Sequence, residues 1–178
     1  MLGGERSDGV LSDTAAGSGA PGVGFGRRIV SEVERTVAAP MELVWRCLRD
    51  YRGPRARLLG EPFADYELHE GGVGAGTVIG YRLRVGRDQR AFVLVVEEPT
   101  PGRQLRERDR HGGLLVAWTL TPGGDGERTI VRVAAELRDA NLAGALARGR
   151  ARRALRRAHV QVLERLEREL TGNRPRPT

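Results

Sequence analysis

The chain contains no lysine; all 30 of its basic residues are arginine. It has one cysteine, Cys47, which excludes an internal disulfide framework and any cysteine-based metal cluster. A single cysteine on an apolar helical face reads as a small core residue. Aromatic residues make up only 4% of the sequence, too few to suggest a platform for stacking nucleic-acid bases. No apolar run approaches the length of a membrane span, and no basic segment followed by an apolar block begins the chain. Neither a transmembrane helix nor a secretory leader is expected, and the cytoplasm is the expected location.

Several chemical signatures are missing as well. The run Gly71 to Gly76 lacks the Gly-Lys-Ser/Thr ending of a phosphate-binding loop and leads into a strand pattern, not a helix. It is expected to be a turn. His69, His111 and His159 show no metal-ligand spacing and no HExxH, so no metal site and no cofactor are expected. No G-x-S-x-G segment exists and serine is scarce after Ser31, which argues against a serine hydrolase.

The net charge of +7 and pI near 10.9 point towards an anionic partner. The exclusive use of arginine, with abundant alanine and glycine, has a simpler source in a GC-rich coding sequence. A surface chosen for phosphate need not exclude lysine, which binds phosphate well. Arg148, Arg150, Arg152, Arg153, Arg156 and Arg157 nevertheless crowd one part of a helix. A solvated basic face accounts for them. No nucleic-acid partner is expected; binding of a nucleic-acid backbone or anionic lipid by this face is the alternative.

What is present has a clear order. Residues 1–26 are a glycine-rich segment with too little apolar area to offset its ordering entropy, and disorder is expected. Residues 27–171 form the domain, and 172–178 a second tail. Arg28 to Val37 alternates as a strand, with Val33, Arg35 and Val37 on one face. Pro40 then sits just inside a short helix to Asp50, with Leu43, Val44, Cys47 and Leu48 on its apolar side. Arg55 to Leu59 makes another short helix. Six strand patterns follow, separated by Gly/Pro turns: 63–70, 77–85, 89–97, 103–110, 114–121 and 127–138. Asp139 to Leu170 reads as one long helix with a stripe at Ala147, Ala151, Ala154/Leu155, Ala158, Val162, Leu166 and Leu170. The expected fold is α+β: a helix-grip arrangement in which a curved seven-stranded antiparallel sheet wraps the long C-terminal helix. The first half of the stripe is small, which predicts a hollow between helix and sheet.

Val33-Glu34-Arg35-Thr36-Val37-Ala38-Ala39-Pro40 leading to Val44-Trp45 resembles the opening of the SRPBCC (START-like) superfamily. Asp50-Tyr51, the Gly74-Ala75-Gly76-Thr77 turn, Glu97-Glu98-Pro99 with Leu105, and Trp118-Thr119-Leu120-Thr121-Pro122 with Thr129 resemble its later motifs in order and spacing. The resemblance runs from about Val30 to Leu170 and is nearest to the polyketide cyclase/dehydrase and lipid-transport group. It implies a cavity holding a hydrophobic or aromatic small molecule. It does not fix a reaction, because carriers, cyclases, hydrolases and sensors share the fold.

Strand parity supplies the candidate site. If the concave faces are those of Val33, Ile79, Leu105 and Val116, then Arg35, Tyr81, Glu107 and Trp118 converge on the hollow. Leu83, Leu105, Val133, Ala147, Ala151 and Leu155 complete the expected lining. A glutamate buried there could act as acid or base, which is the basis of an alternative reading as a polyketide cyclase or aromatase. That Arg35 and Glu107 form a simple ion pair, or sit at the solvent end of their strands, is the plainer expectation. A third reading is an interaction protein that uses the arginine-rich helix face.

Overall fold

The computed structural model describes residues 27–85, 88–139 and 144–172. The expectations for 1–26 and 173–178 lie outside the described residues. Seven strands form one antiparallel sheet in the order β1-β7-β6-β5-β4-β3-β2. They are β1 (Arg27–Val37), β2 (Phe63–Glu70), β3 (Val78–Val85), β4 (Asp88–Thr100), β5 (Gln104–Asp109), β6 (Leu114–Pro122) and β7 (Thr129–Asp139). Two short helices, α1 (Met41–Arg49) and α2 (Pro54–Leu58), follow β1, and α3 (Ala145–Gly172) ends the domain.

The two-residue period decides the faces. Ile29, Val33 and Val37 of β1, Leu114, Val116, Trp118 and Leu120 of β6, and Val131, Val133, Ala135 and Leu137 of β7 are all buried. They form the concave face that grips α3, whose Ala151, Leu155, Ala158, Val162 and Leu166 are buried against it. Register shifts in β2 and β4, of the kind that bend strands, accompany the curvature. This is the helix-grip arrangement the sequence predicts.

Three details differ from the expectation. The long helix begins at Ala145, not Asp139. Asp139 still pairs with Arg27 at the end of β7, and Gly144 has φ 90°, a conformation no helix continues through. In α1, Pro40 is the cap residue before the first turn, with its carbonyl accepting from Leu43 and Val44. Trp45 is buried there and Leu43 is 42% exposed, because the buried face centres on Val44, Trp45 and Leu48. Cys47 is buried as expected, and burial pushes its thiol up to about 11, away from reactivity.

The glycine turn does structural work for the site. Gly72 accepts from the Tyr51 amide at 2.8 Å, the Gly74 amide donates to Arg49 at 2.9 Å, and Val73 bridges Asp50. Gly72 has φ 133°, and a Cβ there would run into Arg52. The end of α1, and Tyr51 with it, is thereby fixed to the sheet.

Candidate functional site

Tyr51 leaves α1 pointing inward, and the Arg55 amide donates to the Asp50 carbonyl at 2.9 Å at the start of α2. Both side chains meet Glu107 of β5. Tyr51 Oη donates to Glu107 Oε1 at 2.7 Å, and Arg55 donates to the same oxygen from Nη2 at 2.8 Å and Nε at 3.2 Å. Trp118 Nε1 donates to Oε2 at 3.3 Å. Arg55 also lies over the Trp118 ring, its Cζ 4.5 Å from the centroid, a desolvated cation–π contact. The Arg55 and Glu107 side chains are only 3% and 1% exposed. An ion pair is thus sealed inside an otherwise apolar interior.

His159 of α3 packs edge-on against Trp118, with ring centroids 6.2 Å apart. Its Nδ1 lies 2.9 Å from the Leu155 carbonyl oxygen, which can only accept, so Nδ1 carries the proton. The neutral ring then presents its lone pair at Nε2. On the β3–β4 side, Phe63, Tyr81 and Phe92 form an edge-to-face chain with centroids 5.2 and 6.3 Å apart.

The electrostatics follow from burial. Tyr51 is held well above the ordinary phenol range by burial and then by the Glu107 charge, and Tyr81 by the same two causes. Burial alone would lower the Arg55 pKa, but the neighbouring Glu107 overrides it and the guanidinium stays charged. Burial pushes His159 down to about 4. The folded chain therefore keeps His159 neutral to about pH 4, whereas the unfolded chain takes up that proton near 6.5. Stability contributed by this group is complete above pH 6.5 and is lost as pH falls towards 4, about 3 kcal/mol in all. Urea unfolding between pH 7 and 4 should show this loss, and His159→Met should flatten it; an unchanged slope in the variant would assign the acid sensitivity elsewhere.

Most of the expected lining is buried, as strand parity and the helical stripe imply. Tyr81, Leu83, Leu105, Glu107, Trp118, Val133, Ala151 and Leu155 are all buried, and Ala147 is half-buried in the first turns of α3. Arg35 does not join them. It is half-exposed and pairs with Glu167 of α3 at 2.6 Å, with Glu164 at 4.0 Å, so the expected Arg35–Glu107 pair is not formed. Sequence reasoning missed Arg55, Tyr51 and the central place of His159.

The space beside Trp118 is taken by Arg55 and His159, which pack on its ring. The alanines of α3 do border open space further along the helix. A cleft of about 290 Å³ lies between Ala154 and Ala158 on one side and Pro62 on the other, rimmed by Glu61, Arg84, Arg157 and Gln161. Among the described residues no group of His, Cys, Asp and Glu could hold a metal ion, and no helix is long and apolar enough to cross a membrane.

A curved sheet around a terminal helix, with a polar cluster buried at their junction, defines a START-like fold. The chain belongs to the family described as polyketide cyclase/dehydrase and lipid transport, whose profile matches residues 28–171. Its structure is similar to the solution structure of KanY protein, with 27% identity and TM-score 0.68 over 83% of this chain and 99% of that one. It also resembles the Zhui aromatase/cyclase from Streptomyces sp. R1128, with 20% identity and TM-score 0.61 over 82% of this chain and 94% of that one. A START superfamily protein from Mycobacterium smegmatis shares 12% identity at TM-score 0.60, over 81% of this chain and 98% of that one. No curated protein matches the chain in sequence.

Proposed function

We propose that the protein is a cytoplasmic binding module for an apolar or aromatic small molecule, lipid- or polyketide-like, that carries at least one oxygen acceptor. One observation carries this reading. Arg55 is charged and buried, and its Nη1 has no hydrogen-bond partner. A buried donor left unpaired costs stability, and apolar residues of similar size would fill the same space without that cost. Such a donor suits a ligand carbonyl or phenolic oxygen. The apolar walls are Tyr81, Leu83, Leu105, Trp118, Val133, Ala151 and Leu155, with Ala147 near the start of α3 and Glu107 holding the guanidinium in place. In this reading the cleft at Pro62, Ala154 and Ala158 is taken as the way in.

Native mass spectrometry of protein isolated from its own cells, with a titration of apolar ketones and phenols read by Trp118 fluorescence, tests the reading. A co-purifying compound or saturable quenching is expected, with affinity reduced at least about tenfold in Arg55→Met, as for a charged hydrogen bond. Protein that emerges empty and gives no quenching with any of these compounds would refute it.

A second reading, a cyclase or aromatase, is favoured by His159. Its Nε2 lone pair lies in the same buried region as the Arg55 donor, so one group could accept a proton while the other stabilises an enolate. Glu107 is less suited to that task, since both its oxygens already accept from Tyr51, Arg55 and Trp118. The low His159 pKa makes it a weak base in the free protein, and for that reason binding is placed first.

A further inference from the structure

The outward face of α3 carries Leu146, Arg150, Arg153 and Arg157 in one column, at successive steps of four, three and four residues. All four are exposed, Leu146 by 78%. Arg152 and Arg156 flank the column. Elsewhere arginines find carboxylates: Arg35 pairs with Glu167, Arg57 with Glu169 and Arg132 with Glu32. Among the described residues, Arg150, Arg152, Arg153, Arg156 and Arg157 pair with none.

This arrangement works against the helix. The charges sit in the half of α3 nearest its positive end, and its first turn has no acidic residue. Arg150 and Arg157 are about 10 Å apart along the axis with Arg153 between them, so neighbouring charges lie within about one Debye length and repel. An anionic surface would relieve both penalties.

We infer that this face docks the protein on an anionic lipid bilayer, with Leu146 entering the interface and Arg150, Arg153 and Arg157 meeting headgroup phosphates. The composition of the face selects this occupant. A protein partner would need an apolar interface core, and this face offers one leucine. Single-stranded nucleic acid would need rings for its bases, and no aromatic residue lies on α3. A straight row of guanidinium groups ending in one projecting apolar side chain suits a flat charged interface.

Co-sedimentation with vesicles of phosphatidylcholine, alone or with about a third phosphatidylserine, tests the assignment at low salt and at about 0.5 M salt. Binding to the anionic vesicles alone, lost at high salt, is expected. Arg150→Gln, Arg153→Gln and Arg157→Gln together should weaken it about a hundredfold, and Leu146→Gln several-fold. Replacing Arg82, Arg108 and Arg132 by glutamine removes the same net charge from the sheet and should change binding by no more than a factor of a few. Equal binding to neutral vesicles overturns the proposal, as does an unaffected α3 triple variant or a control triple that loses as much. Binding to heparin or poly-aspartate through these arginines, with vesicles ignored, also overturns it.

Discussion

Glu107→Leu should destabilise the protein by about 3–5 kcal/mol, the range for breaking a buried ion pair from one side. The loss is not that of a single contact. Arg55 would keep its charge in an apolar interior, and the Tyr51 hydroxyl and Trp118 indole would lose their acceptor together. A domain of this size is stable by only about 5–15 kcal/mol, so the variant should unfold at markedly lower urea. The paired variant Arg55→Met/Glu107→Leu is the informative partner. Removing both charges should recover most of the loss, because well-packed apolar residues commonly replace buried ion pairs without harm. That outcome, with ligand affinity still absent, would assign the pair to recognition. A Glu107→Leu midpoint within error of the parent would show that the carboxylate is not the anchor of its three donors.

Leu155→Ala is the second large effect, at about 2–5 kcal/mol and towards the upper end of that range. The penalty for a deleted side chain depends on whether its surroundings can close the space. Leu155 is fully buried, and its neighbours on the same face of α3 are Ala151 and Ala158, which have nothing to extend into the gap. Its carbonyl also receives His159 Nδ1, so relaxation of the helix there would disturb the ring against Trp118. Leu146→Ala on the exposed face should stay within about 0.5 kcal/mol and serves as the control. Equal melting of the two variants would mean that the stripe of α3 is not core.

The strand faces were legible because a two-residue period allows only two answers, and the aliphatic residues of β6 and β7 choose between them. Glu107, Tyr81 and Trp118 were found on the buried face for that reason. Parity says nothing about position along a strand, and Arg35 shows the consequence. It shares the face of Val33 and Val37 yet meets the acidic end of α3. Arg55 was hidden because α2 spans five residues, too few turns to display a helical period. The start of α3 was placed early because the alternation of β7 gives no stop signal before Asp139, and the glycine that forbids the helix lies at 144.

The pairing of β1 with β7 has a consequence for how the protein is made. The strand translated first is completed only by the strand translated last, since Val37 meets Thr129 and Arg27 meets Asp139. At a ribosome adding about 5–20 residues per second, β1 waits on the order of 5–20 s for its neighbour. For that interval its apolar face and open edge are protected mainly by its own charged residues. Glu32, Glu34 and Arg28, which later pair across the finished sheet or face water, are charges of the kind that oppose edge-to-edge association of an unpaired strand.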